Sequence, residues 1–156
     1  MTTPDLDALV RRAIQVALDA RAHGNHPFGA ILVAPDGTIA LEAENTVETA
    51  NDVTNHAETN LVRLAWQSIP RDELPGYTLV TSCEPCAMCS GAIYWAGIGT
   101  VVYGLSELGL LEHAGDPMLA HPCRAVFADG GGREVTVIGP LLEDEAAVPH
   151  VGFWGA

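Results

Sequence analysis

Three of the chain's four cysteines fall within seven positions, at Cys83, Cys86 and Cys89 in the run S-C-E-P-C-A-M-C-S. On a helix, Cys86 and Cys89 stand at i and i+3 and share a face. Near the helix start, the positive end of the dipole favours their thiolate forms. Two converging thiolates suit zinc, but a tetrahedral site needs further ligands. A thioredoxin-like redox pair is the other use of C-x-x-C, yet that motif follows the first strand of its unit and Cys86 follows the third. His56, in N-H-A-E, stands in the first turn of another expected helix, with Glu58 two residues on. If both helix starts lie at one edge of a sheet, His56, Cys86 and Cys89 meet. Three protein ligands leave the fourth zinc position open, as catalytic zinc requires, and a water there becomes a nucleophile near neutral pH. Glu58 is too close in sequence to His56 to be a comfortable ligand and is placed to carry protons beside the metal. A buried structural histidine and a closed structural zinc site, with a fourth protein ligand and no need of Glu58, are the competing readings. Cys83 is not at ligand spacing and reads as a pocket-lining or packed residue. Cys123 reads as a small buried thiol.

The convergence demands a scaffold, and the hydrophobic pattern supplies one. Thr3-Pro4 reads as an N-cap followed by proline at the first helical position, with Leu6, Leu9, Val10, Ala13, Ile14, Ala17 and Leu18 recurring at helical spacing to near His23-Gly24. G-A-I-L-V-A-P-D-G-T-I-A-L-E-A reads as two strands around a Pro35-Asp36-Gly37 turn. A helix from near His56 leads through an L-P-G-Y turn to the short strand Y-T-L-V-T. Another helix, with Pro85 at its start and Gly97 at its end, leads to G-T-V-V-Y-G. H-P-C-R-A-V-F-A-D reads as a short helix, E-V-T-V-I-G as a final strand, and L-L-E-D-E-A-A-V as a last helix that Pro149 interrupts. Alternating helices and strands predict a three-layer α/β/α fold. Its five-stranded sheet is mixed, with an antiparallel first hairpin and later strands parallel through crossover helices. The whole chain, residues 1–156, reads as one domain, with residues 141–156 as a C-terminal helix and a candidate lid.

H-x-E followed by P-C-x-x-C is the pattern of zinc deaminases, in which the glutamate is acid and base rather than ligand. Here it is His56-Ala57-Glu58 with Pro85-Cys86-Ala87-Met88-Cys89. Over essentially its whole length the sequence resembles the cytidine-deaminase-like superfamily, and H-P-F-G-A-I-L-V, H-A-E, T-S-C-E-P-C-A-M-C and G-A-I-Y-W-A resemble its small bacterial guanine deaminases. The resemblance implies a five-stranded sheet between helices, one Zn2+ per chain on His56, Cys86 and Cys89, and Glu58 as catalytic proton carrier. It implies that Asn45 hydrogen-bonds the substrate, where an Asx-turn is the local alternative, and that Phe28 lies against the substrate ring, where a core phenylalanine is the alternative. The Ala57 N–H, at a helix start beside the metal, is placed to bind a substrate carbonyl. Trp95 reads as a pocket residue, or as core or dimer interface. Asp116, with His113 and His121, lies in a loop that could touch substrate. Glu143 and Glu145 read as pocket residues or a solvated helix face. Phe153 and Trp154 are costly to expose and are expected to close over an active site or pack on a neighbouring subunit. A homodimer, with exchange of C-terminal segments as in guanine deaminases, follows from the same resemblance.

Composition narrows the substrate. The net charge is -13, with twenty acidic and seven basic residues, all arginine. Phosphate backbones are bound through cationic side chains, so this balance disfavours nucleic acid. The chain is 48% hydrophobic, enough for a core, and shows neither a membrane-length apolar run nor a signal-peptide pattern, so a cytoplasmic setting is expected. The reading is a zinc-dependent hydrolytic deaminase of a small nucleobase or nucleoside, with guanine to xanthine as the leading case. Cytosine, guanosine and an amino-triazine are alternatives, transfer-RNA adenosine is disfavoured, and a structural zinc-binding interaction module is the alternative from another class.

Overall fold

Five strands gather the chain's short apolar runs into one sheet, in a computed structural model that describes residues 4–115 and 118–155. The elements in chain order are α1 (Leu6–Ala22), β1 (Gly29–Val33), β2 (Ile39–Glu44), α2 (Val47–Ala50), α3 (Ala57–Ser68), β3 (Thr78–Cys83), α4 (Ala87–Ala96), β4 (Thr100–Leu105), α5 (Glu107–Ala114), α6 (Cys123–Ala128), β5 (Thr136–Ile138) and α7 (Glu143–Ala147). The strand order is β2-β1-β3-β4-β5. β1 pairs antiparallel with both β2 and β3, while β3, β4 and β5 are parallel. β1 therefore runs against the other four strands. The expected hairpin and parallel remainder are both present, and the crossover through α3 carries the chain over β1.

Every residue of β1 is buried, because helices cover both sides of the sheet. Alternation along it divides the core: Ala30 and Leu32 face Leu61, Leu79 and Ile93 on the α3–α4 side. Ile31 and Val33 face Val10, Ile14 and Val80 on the α1 side. β2 and β5 are the edge strands and are partly exposed. Among the described residues no helix is long and apolar enough to cross a membrane.

Local details depart from the sequence reading. α1 is capped by Asp5, whose carboxylate accepts from the Ala8 N–H at 3.2 Å, so Pro4 lies outside the helix. Thr3, expected as the cap, lies outside the described residues. Cys86 is the N-cap of α4 and Pro85 precedes it. α5 and the single turn α2 have no counterpart in the order of elements expected from the sequence. The signal for α5 was Ser106, whose hydroxyl accepts from the Gly109 N–H at 3.1 Å. Pro149 does interrupt the last helix, which tightens into a 3-10 turn at Val148–His150.

Gly29 opens β1 directly under α1 and donates its N–H to Ser82 Oγ at 3.1 Å. A methyl group there would lie 2.5 Å from the Ala17 nitrogen and 2.6 Å from the Ala13 carbonyl oxygen, both helix backbone. Gly29→Ala is therefore expected to lower unfolding stability by more than about 2 kcal/mol. Gly91→Ala on α4, where an added methyl meets nothing within 4 Å, should leave stability unchanged or raise it by up to about 1 kcal/mol. Urea unfolding of both variants beside the parent measures the difference.

Candidate active site

The C-terminal end of β3 and the start of α3 meet at one edge of the sheet. His56 is the N-cap of α3 and Cys86 the N-cap of α4, both in extended backbone (φ -65° each). An N-cap side chain leaves the helix axis just before the first turn, so two neighbouring helices that start together bring their caps together. Cys89, one turn into α4, returns to the same spot. His56 Nδ1 stands 3.6 Å from Cys86 Sγ and 3.5 Å from Cys89 Sγ. The three ligand atoms lie within 4.8 Å of one another and form a candidate metal cluster among the described residues. Tetrahedral zinc with ordinary Zn–N and Zn–S bonds requires N···S edges of about 3.5 Å. The donor set therefore fits zinc, and His56 Nδ1, Cys86 Sγ and Cys89 Sγ would hold it. Cys83 and Cys123 stand outside the cluster.

Glu58 is 4% exposed, beside these ligands. Its Oε1 accepts from the Thr81 hydroxyl at 2.9 Å, and its Oε2 lies 3.6 Å from Cys89 Sγ. Thr81, on the middle of β3, was not singled out from the sequence; nothing in a threonine within an apolar strand signals that its hydroxyl will meet a carboxyl from another element. Burial, and then the Cys86 charge, push the Glu58 carboxyl up, with His56 and Thr81 opposing. Interaction with Cys89, and then with His56, holds the Cys86 thiol down at about 4 against its burial, while Cys86 and burial push the Cys89 thiol up.

Above the ligands opens a cavity of about 570 Å³, lined by His56, Glu58, Cys83, Glu84, Cys86 and Glu107 at its polar end and by Phe28, Leu110, Met118, Leu119 and Trp154 among its apolar walls. Glu84 is tied into the fold: its two carboxylate oxygens accept from the Glu107 and Cys123 N–H groups, each at 3.0 Å, and so fix the starts of α5 and α6. Glu107 is 5% exposed. Burial, followed by the charges of Cys86, Glu84 and Glu58, raises its carboxyl to about 8. Neither acid was picked out from the sequence. An acid between two cysteines in C-E-P-C was the available signal for Glu84. For Glu107 the available signal was an acid just after the Ser106 cap.

The other expected site residues divide. Phe28 and Trp154 line the cavity. Phe153 lies beside it, its ring 6.0 Å from His26 and 4.8 Å from Trp154, with the Arg21 guanidinium over it. Asn45 is buried, and its Oδ1 accepts from the Val47 N–H at 3.0 Å, the local Asx-turn. Ala57 is fully buried as the first residue of α3. Trp95 is 75% exposed on α4 and does not line the cavity. Glu143 is exposed and accepts from the Ser106 N–H and hydroxyl at 3.1 and 2.6 Å, also away from the cavity lining. Glu145 pairs with Arg11 at 2.8 Å on the surface. Asp116 lies outside the described residues. His113 is exposed, its ring 6.5 Å from His150.

His150, unremarked in the sequence, anchors the C-terminal wall. It is 1% exposed, lies parallel to Trp154 and accepts from Trp154 Nε1 at 3.2 Å through Nδ1. Its Nε2 has no partner among the described residues.

A model of the cytidine and deoxycytidylate deaminase zinc-binding region matches residues 4–105. A probable cytosine deaminase from Schizosaccharomyces pombe is 43% identical over 151 residues, covering 94% of this chain and 91% of that protein. A guanine deaminase from Bacillus subtilis is 40% identical over 107 residues, covering 68% of each chain. The solved guanine deaminase from Nitrosomonas europaea superposes with a TM-score of 0.81 over 97% of this chain and 85% of its own; at 23% identity this is a likeness of fold.

Zinc content should be about one per chain in protein purified without chelator, near zero in Cys86→Ser and His56→Ala, and unchanged in Glu58→Gln; elemental analysis reads all four. Loss of zinc from Glu58→Gln would make Glu58 a ligand. The C-terminal wall gives a pH dependence. Burial, then the charges of His113 and Arg21, lower His150 from 6.5 to about 4. Between those values the unfolded chain holds the extra proton. The contribution is therefore complete above pH 6.5 and lost as pH falls towards 4, up to about 3 kcal/mol in all. Urea unfolding at pH 7 and pH 4.5 should show a smaller difference in His150→Gln than in the parent.

Proposed function

The chain belongs to the cytidine and deoxycytidylate deaminase family and is a zinc-dependent hydrolytic deaminase; from that premise we propose that its substrate is a free nucleobase or nucleoside, with guanine to xanthine and ammonia as the leading reaction. The observation that carries the mechanism is Glu58, buried at the floor of the cavity beside the three-ligand cluster and held by Thr81.

When bound, zinc supplies an activated water near neutral pH. Glu58 accepts the proton that the attacking water gives up. It then delivers a proton to the ring nitrogen next to the carbon that bears the amine, and another passes to the departing amine. Water and the amino-heterocycle become a carbonyl and ammonia, and the carboxylate returns to its starting state. The Thr81 hydroxyl orients Oε1, so that Oε2 is the oxygen nearer the thiolates and the reacting atoms. The apolar walls, Phe28 and Trp154 included, exclude water and stack against a flat ring. In this reading the Ala57 N–H and the Asn45 amide contact substrate polar groups.

Two features favour a small substrate over transfer RNA. The net charge of -13 opposes a polyanion, and the cavity, at about 570 Å³, has the size of a single base or nucleoside site. The Bacillus subtilis relative supports guanine. Cytosine is the second reading, supported by the Schizosaccharomyces pombe relative, which spans more of the chain. A homodimer belongs to the same proposal, with the exposed Trp95 as a contact. Residues 141–156 serve as a lid in that picture, with Trp154 at the cavity.

Ammonia release should be measured with guanine, cytosine, guanosine, an amino-triazine and a transfer-RNA anticodon stem. Release from a base or nucleoside, and little from the stem, is expected; release from the stem alone overturns the substrate class. Glu58→Gln, with zinc retained, should lose at least roughly 10²–10⁴-fold in rate. A loss of tenfold or less would remove Glu58 from the proton path, because it corresponds to only ~1.4 kcal/mol of barrier.

A further inference from the structure

Three glutamates line one cavity, and two are accounted for: Glu58 stands beside the metal ligands, and both Glu84 oxygens accept backbone N–H groups. Glu107 is left over. It is the first residue of α5, with its backbone N–H held by Glu84 at 3.0 Å, so its Cα is fixed. The residue is 95% buried (5% exposed) and lines the cavity, yet among the described residues its carboxyl oxygens make no hydrogen bond. Its oxygens are open to the cavity, since the sealed polar atom without a partner among the described residues is His150 Nε2, and a ligand that displaces water from them must replace its hydrogen bonds. Burial and the neighbouring charges raise its carboxyl, the helix dipole at the first turn of α5 opposes them, and donors brought by a ligand favour the ionised form. An ionised carboxyl only accepts hydrogen bonds. A ligand with an N–H or O–H donor at that place in the cavity therefore satisfies the ionised form.

We propose that Glu107 is the specificity-determining residue of this site, its carboxylate accepting a hydrogen bond from a ring N–H of the aminated heterocycle other than the atoms that react. The proposal rests on the deaminase reading for the class of ligand. It has a direct chemical consequence. A base that presents a donor at that position satisfies the buried acid, whereas one with a methyl group there leaves the acid unpaired and crowded. Rejection of a partner that leaves a buried charge unsatisfied is the strong form of discrimination, whereas apolar walls alone discriminate weakly.

The test measures binding without turnover. Zinc-loaded Glu58→Gln and the double variant Glu58→Gln/Glu107→Gln are titrated calorimetrically with guanine, cytosine, 1-, 7- and 9-methylguanine and 1-methylcytosine. In Glu58→Gln, methylation of one ring nitrogen should weaken binding by about tenfold or more. In the double variant that penalty should fall below about threefold, and the unmethylated base should bind about 10- to 100-fold more weakly, as for loss of a charged hydrogen bond. Glu58→Gln/Glu107→Asp keeps the charge and should keep the methylation penalty, and equal zinc content excludes a merely structural loss. The same penalty in both variants, or no binding of any base, overturns the proposal. Ammonia release by the parent protein is measured separately. If no base releases ammonia while Glu107-dependent binding persists, the deaminase reading fails and the assignment of Glu107 stands. If a base releases ammonia but its binding ignores Glu107, the assignment fails alone.

Discussion

The convergence of two helix starts governs this molecule. α3 and α4 pack side by side on the sheet and begin at the same edge, and their N-cap positions are filled by His56 and Cys86 rather than by the serine, threonine or aspartate that would cap them best. Neither side chain makes a capping hydrogen bond. The two helices give up their caps so that an imidazole and a thiolate can face one another at 3.6 Å, with Cys89 joining from the next turn. The buried strands β1, β3 and β4 keep the helices in register, and the close approach of α1 over Gly29 depends on the same sheet.

Burial near such a cluster sorts acids by the partners they find. Glu58 is fixed by a hydroxyl from β3, and its other oxygen faces the Cys89 thiol of the cluster. Glu84 accepts two backbone N–H groups and acts as a clamp on α5 and α6, adding to the Ser106 cap of α5 and standing in for the side-chain cap that α6 lacks. Glu107 has similar burial and, among the described residues, no such partners, and it lines the cavity. Three residues of one type thus take three roles, and the difference lies wholly in what surrounds each carboxyl.

The C-terminal segment completes the cavity through aromatic contacts. Trp154 stands at the wall with its indole N–H bonded to His150, and Phe28 lies 5.2 Å from the His150 ring. The Arg21 guanidinium donates to the Pro149 and Val151 carbonyls at 2.8 Å and ties this segment to α1. This wall of the cavity is therefore held by polar contacts on its outer side.

The sequence by itself determined the alternation of helices and strands, the antiparallel first hairpin, and the ligand set His56, Cys86 and Cys89 with Glu58 beside it, because periodicity and short spacings are local and a helix or strand converts them directly into shared faces. Tertiary structure alone decided which carboxyls meet which donors. Thr81, Glu84, Glu107 and His150 are ordinary residues in their own segments, and each gains its part from a group 4 to 39 positions away. It also decided that Trp95 faces outwards, that Glu143 serves the Ser106 cap and that the Asn45 oxygen closes a turn. Helical and strand spacing fixes the direction of a side chain relative to its own element. Its partner depends on how elements pack, and for polar groups a few tenths of a nanometre separate a helix clamp, a carboxyl beside the metal cluster and an acid that faces the cavity.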